Sequence, residues 1–255
     1  MTADLQKASI SKRIAAALLD FILLTVLVAG AATLIANIVG YGEQIEIVEA
    51  RQKFFEEKYG TSFLTTEEEY NTKFTDEQRK LYDDAFEALV NDEQFVLAYN
   101  MQISLSMIII TFSILFGILI VEFLVPLFLK NGQTLGKKVF NLGVVRTDGV
   151  QITKLQLFIR SLLGKYTIET MIPVYIFLMI FFNAANSISL AILLALFFGQ
   201  AMCLILSRTN SAIHDLLSGT VVIDLSTQMV FRDKEDLLEY TKKIHAERAS
   251  RSDYN

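Results

Sequence analysis

Three carboxylates and one carboxamide stand inside otherwise apolar runs of this 255-residue chain: Asp20, Glu122, Glu169 and Gln200. An ionised side chain at the centre of a membrane span costs roughly 2.5–3.5 kcal/mol on insertion scales, so such groups are candidates for function. A layer of carboxylates can bind a cation, and two close carboxylates raise one another's pKa, which makes exchange of that cation for a proton chemically available. Arg13 stands seven residues before Asp20. Seven residues are close to two helical turns, so the two share a face about 10 Å apart along the axis. The bland alternative is structural pairing: Arg13 with Asp20, Lys165 with Glu169 at i,i+4, and Gln200 in a helix–helix hydrogen bond. Pro126 follows Glu122 and Pro173 follows Glu169 by four residues each. A proline in a span frees backbone carbonyls beside the charge.

Four apolar runs must position these groups. They cover 14–39, 103–129, 166–182 and 188–206. The first has 26 residues, against the ~20 a bilayer core requires. The chain is 53% hydrophobic and 20% charged, and its charge is gathered between the runs, as in a polytopic membrane protein. Counted from the flanking cations, Asp20, Glu122 and Gln200 each lie about 10–12 Å in from one end of their helices, with Glu169 slightly shallower. Trp is absent, which leaves Tyr41 and Tyr99 as interfacial anchors. Lys7, Lys12 and Arg13 resemble the charged start of a signal peptide, but the long apolar stretch interrupted by Asp20 reads as an uncleaved first span.

Charge sets the expected orientation. Residues 1–13 carry Lys7, Lys12 and Arg13, and 130–165 carry Lys130, Lys137, Lys138, Arg146, Lys154, Arg160 and Lys165 against Asp148 alone. Both segments belong in the cytoplasm, as does 207–255, which opens with Arg208. The segment 40–102 belongs outside. Its Tyr41–Asn100 stretch carries 6 Lys/Arg and 15 Asp/Glu, net −9. Its patterns are helical. Thr75 before Asp76 and Glu77 reads as an N-cap, opening a helix that can run on into the second span. The expected fold is therefore an all-α membrane protein: four transmembrane helices with a helical extracytoplasmic insertion between the first and second.

In the cytoplasmic loop, Val139 to Val145, the turn Thr147-Asp148-Gly149, and Val150 with Ile152 read as a short hairpin against the membrane. From Lys154 to Lys165, leucines alternate with Lys154, Arg160 and Lys165, which reads as a basic interfacial helix on an anionic leaflet. Asn183 to Ser187 reads as a tight turn between the third and fourth spans, Thr220 to Ile223 as a short strand or interfacial stretch, and Lys234 to Arg251 as a charged helix.

Enzymatic chemistry finds no support. Gly132, Gly136 and Gly143 lack the spacing of a phosphate loop, and His214, His245 and the lone Cys203 form no zinc or nucleophile pattern. No cofactor, metal or nucleic acid is called for. His214-Asp215 beside a polar turn reads as structural.

Arg13, Asp20, the string Gly132-Gln133-Thr134-Leu135-Gly136-Lys137-Lys138 and the string His214-Asp215-Leu216-Leu217-Ser218-Gly219-Thr220 together resemble the RDD family of bacterial membrane proteins. That family is named for one arginine and two aspartates, here by resemblance Arg13, Asp20 and Asp215. The likeness covers about 14–40 and 102–224, and the acidic 41–100 departs from it. It implies a bacterial cell-membrane location and a candidate role in sodium/proton exchange.

Two functional expectations follow. One is a monovalent cation/proton transporter or transporter subunit. In it Asp20 is the central carboxylate, Arg13 its modulator and Glu122 a second carboxylate, with a homo-oligomer compensating for few spans. The acidic outer segment would then gather cations, an effect weakened by salt. The other is a non-transporting accessory protein that binds a membrane partner through the outer segment and the tail, with Arg13, Asp20 and Asp215 holding the bundle together.

Overall fold

The computed structural model describes residues 8–182, 184–207 and 209–252, apart from the side chains of Lys130 and of 248–252. Lys7, Asn183 and Arg208, to which the sequence reading gives topological roles, lie outside the described residues. Helix α1 covers Ile10–Ile38, α2 Tyr41–Tyr59, α3 Glu67–Thr72, α4 Asp76–Val90 and α5 Glu93–Phe128. Then come α6 (Leu135–Val139), β1 (Leu142–Arg146), α7 (Lys154–Phe181), α8 (Ser187–Leu206), α9 (Ile213–Ser218), β2 (Thr220–Asp224) and α10 (Lys234–Ser252). Among the described residues α1, α5, α7 and α8 are long and apolar enough to cross a membrane. The chain contacts divide it into two units, Met1–Val28 with Ile114–Asn255, and Ala29–Ser113.

The first unit is not purely helical, and here the all-α expectation is corrected. β1 and β2 form an antiparallel two-stranded sheet running from Leu142↔Asp224 to Arg146↔Thr220. Both strands are buried on both faces. Leu142, Val144 and Val222 pack with Ala8 and Ala16, whereas Val145, Val221 and Ile223 pack with Leu225 and Val230. A strand covered on two sides reads as a continuous apolar run rather than an alternation, which makes it ambiguous in sequence. The turn at Asp148 does form: the Gly149 N–H donates to the Arg146 carbonyl at 2.9 Å and the Arg146 N–H to the Val150 carbonyl at 2.9 Å. The expected hairpin goes no further than the bridge Val145↔Gln151, because β1's main partner comes from beyond the fourth span.

The basic interfacial helix is corrected as well. Lys154 to Phe181 is one helix, and Arg160 within it is 3% exposed. Thr153 starts it as an N-cap, accepting from the Gln156 N–H while the Gln156 side chain accepts from the Thr153 N–H. Between Ile159 and Met171 the winding widens to i→i+5 bonding, with the Ile172 N–H donating to the Thr167 carbonyl. A five-residue step overshoots one α-helical turn by about 140°, but in the widened stretch it returns to the same face. Arg160, Lys165 and Thr170 therefore stand in one row facing one cavity. Leu119–Leu124 in α5 is wound the same way. Each widened stretch lies just ahead of a proline, Pro126 or Pro173, which cannot donate to the carbonyl four residues back, that of Glu122 or Glu169.

In the second unit, α2 and α4 pack together through Val48, Phe55 and Leu89, with Phe95 and Ala98 from the start of α5. Thr75 caps α4, accepting from the Gln78 N–H, and the Gln78 side chain accepts from the Thr75 N–H. That helix does not run on into the second span: it stops at Val90, and Asp92 caps a new one by accepting from the Phe95 N–H at 2.9 Å. The same carboxylate accepts a fork from Arg51, Nε at 2.9 Å and Nη2 at 2.5 Å. Arg51 thereby holds the Asp92 carboxyl below its usual range. Asp92→Ala removes a cap and a bidentate pair together, and the insertion should lose about 1–2 kcal/mol, read as earlier proteolytic cleavage within 41–100.

Candidate functional site

The polar groups of the first unit gather around a cavity of about 320 Å³ lined by Arg13, Asp20, Glu122, Lys137, Arg160, Lys165, Glu169 and His214. They fall into two linked clusters, and neither uses the pairings expected from spacing.

Asp215 is the hub of the first cluster. It opens α9 and is fully buried. Its Oδ1 accepts from Arg160 Nη1 at 2.5 Å and its Oδ2 from Arg13 Nη2 at 3.1 Å, while the Ala212 N–H donates to it at 3.3 Å. Arg13 therefore pairs with Asp215 rather than Asp20, and its other nitrogen donates to the Asn210 carbonyl. Burial by itself would raise the Asp215 carboxyl; the Arg160 guanidinium foremost, with Arg13, outweighs burial and holds it well below the usual carboxylate range.

His214 joins this hub to Glu169. Arg160 Nη2 lies 3.1 Å from His214 Nε2 and can only donate, so Nε2 accepts and the ring proton sits on Nδ1. Nδ1–H donates to the Glu169 carboxylate at 2.8 and 2.9 Å, and the His214 backbone N–H adds a third bond at 3.0 Å. Burial pushes the imidazole pKa down against the nearby Asp215 carboxylate, in keeping with the neutral tautomer. α7 and α9 meet so closely that a Cβ on Gly164 would lie 2.8 Å from the His214 Cα. Glycine is required there for the approach.

Asp20 and Glu122 form the second cluster. Asp20 Oδ1 accepts from the Gly136 N–H at 2.7 Å, and its Oδ2 accepts from the Thr134 hydroxyl at 2.5 Å. The first span thus holds the start of α6, the short helix after the second span. The Lys165 ammonium donates to Glu122 rather than to Glu169, because the i→i+5 winding turns Lys165 and Glu169 to different partners. Lys137 lies 3.8 Å from Asp20 Oδ2 and 3.9 Å from Glu122 Oε2, and donates to Thr134 Oγ1 at 3.2 Å. Burial lowers the Lys137 pKa to about 8, with Glu122 opposing that shift.

Asp20, Glu122 and Glu169 thus reach one cavity, and Gln200 does not. Its carboxamide oxygen accepts from the Ile213 N–H at 3.0 Å, and the residue lines a separate, mainly apolar cavity of about 560 Å³ between α7 and α8. Gln200 faces the head of α9, which depth counted along a helix does not reveal. Sequence reasoning gave no site role to Lys137, Thr134, Arg160 or His214. The only signal for Lys137, Thr134 and His214 was their place in the strings Gly132–Lys138 and His214–Thr220; periodicity put Arg160 on an interfacial face. Among the described residues no buried side-chain nitrogen or oxygen lacks a partner.

No curated protein and no solved structure matches this chain. The family model described as the RDD family matches residues 7–219, which take in both clusters and all four apolar helices whole, and the chain is thereby a multi-pass membrane protein belonging to the RDD family.

Proposed function

We propose that the protein exchanges a monovalent cation for a proton across the bacterial cell membrane, with both termini in the cytoplasm, the acidic 40–102 segment outside, and the second cluster as its ion site. The observation that carries this reading is the pair of carboxylates, Asp20 and Glu122, brought from two spans to one ammonium group beside a cavity. Two anions in a confined, partly dry site need compensating charge at all times, and a proton or a cation can supply it. The basic 130–165 segment and the acidic 41–100 segment support the orientation. With four spans, a homo-oligomer supports alternating access.

Purified protein in proteoliposomes, assayed for sodium, potassium and proton flux, tests the reading. Glu122→Gln and Asp20→Asn each remove one charged ligand worth about 1.5–3 kcal/mol, and each should cut flux at least about tenfold. Flux unchanged in both variants would sink the proposal.

A second reading, an accessory protein that docks a membrane partner, is favoured by the exposed Phe54, Leu64 and Phe86 of the insertion, with Leu64 90% exposed. Deleting 45–95 separates the two. A transporter core keeps its flux, whereas an accessory protein loses its partner in pull-down.

A further inference from the structure

We propose that the apolar cavity between α7 and α8 binds a single-chain amphiphile with a protonated amine head, its ammonium on the Glu169 carboxylate and its body against Phe177, Leu193 and Phe197. The cavity of about 560 Å³ falls within the roughly 300–1,000 Å³ of ligand pockets, and its lining is apolar apart from Glu169 and Gln200. Those two side chains stand side by side at the head of α9. The Ile213 N–H donates to Gln200, and the next N–H, that of His214, donates to Glu169. From Glu169 the lining continues to Phe177, eight residues along α7 and about 12 Å away along the axis. A polar end and an apolar body are thus both built into the site.

Charge distinguishes Glu169 from the other inward-facing carboxylates. Asp215 is paired with Arg13 and Arg160, Glu122 with Lys137 and Lys165, and Asp20 with Lys137. Among the described residues Glu169 is paired with His214 alone, and that ring is neutral because its Nε2 accepts from Arg160. Two neutral donors, Nδ1–H and the backbone N–H, hold the carboxylate without cancelling its charge. A carboxylate has about four acceptor positions, so capacity remains, and the side chain is 20% accessible. The Gln200 oxygen, which accepts from Ile213, has a second lone pair for another ammonium N–H. An ionised group beside an apolar cavity is costly until a counter-charge reaches it.

The surroundings select an amphiphile. α8 is almost wholly exposed, and Phe177 and Phe197 are exposed where the cavity meets its rim. In a bilayer that rim opens to lipid, and the ligand enters sideways. An apolar body gains little by exchanging lipid tails for leucine and phenylalanine, which are equally apolar. Preference must come from the head, where a charge-assisted hydrogen bond is the strong contact. A phospholipid with an ammonium head would bring its phosphate against the same carboxylate, which favours the single-chain amine.

The test uses the absence of Trp from the chain. Phe177→Trp places one fluorophore in the cavity wall, with Phe197→Trp as the second reporter if the first misfolds. In vesicles of brominated phosphatidylcholine, a lipid chain in the cavity quenches the reporter. Dodecylamine should restore fluorescence at a bilayer concentration at least about tenfold lower than dodecanol requires. Glu169→Gln in the reporter chain keeps an acceptor for His214 and should erase that difference. Equal recovery by amine and alcohol means that any lipid chain fills the cavity, and overturns the proposal. An amine preference that survives Glu169→Gln overturns it as well, because the head then binds elsewhere. Recovery by unbrominated phosphatidylethanolamine as good as by dodecylamine overturns the single-chain assignment. If Glu169→Gln misfolds, the comparison of amine with alcohol decides alone. The exchange reading uses neither Glu169 nor this cavity, so the two stand or fall separately.

Discussion

Asp215→Asn should lower the stability of the detergent-purified protein by about 3–5 kcal/mol, the range found when one partner of a buried ion pair is removed. The side chain is fully buried and takes hydrogen bonds from Arg160, Arg13 and the head of its own helix. Asparagine preserves the shape and one acceptor, yet leaves two buried guanidinium groups with no counter-charge at that point. Truncating Arg160 to Met in the same chain removes one of those stranded charges, so the double variant should be more stable than Asp215→Asn alone. A thermal unfolding midpoint series on the wild type and the two variants reads both effects. A loss below about 1 kcal/mol for Asp215→Asn would show that the hub is not structurally decisive. The pH dependence has a fixed sign. The folded-state pKa of Asp215 is depressed, so its stabilisation is fully present above the unfolded value near 3.8 and is lost as pH falls through the lower folded value. Wild-type stability should therefore fall in that acidic window, and Asp215→Asn should show a flatter profile there.

Gly136→Ala should cost about 1–3 kcal/mol, although alanine is the better helix former. A Cβ at Gly136 would run into the Ala16 carbonyl oxygen and lie 2.9 Å from both Cγ and Oδ1 of Asp20. A carbonyl within a helix cannot swing aside. The Asp20 carboxylate is fixed by Thr134 and by the Gly136 N–H itself. The substitution therefore pushes α6 off α1 and loosens the hydrogen bond that joins the first span to the loop after the second. Gly199, within α8, is the matched control, since a Cβ there meets nothing within 4 Å. Gly199→Ala should be neutral or stabilising by up to about 1 kcal/mol. Equal unfolding midpoints for the two alanine variants would refute the close-approach argument.

What the sequence by itself determined is what depends on composition and on residues near one another in the chain. The apolar runs delimit four spanning helices because a bilayer core demands a fixed length of apolar helix. Thr75 announces a helix start because an N-cap needs only its own side chain and an N–H three residues on. Asp20, Glu122 and Glu169 stand out because a carboxylate in an apolar run is conspicuous whatever its partner. The partners were decided only in the tertiary structure. Spacing favoured Arg13 with Asp20 and Lys165 with Glu169, as an ideal helix with 3.6 residues per turn requires. The chain instead pairs Arg13 with Asp215, 202 residues away, and Lys165 with Glu122, 43 residues away. Two physical reasons account for this. Helix α7 is wound to i→i+5 through its polar stretch, which changes which residues share a face. And a buried charge is compensated by whatever the fold brings within a few ångströms, here α6, α9 and the strand pair that docks them, none of which leaves a mark on local periodicity.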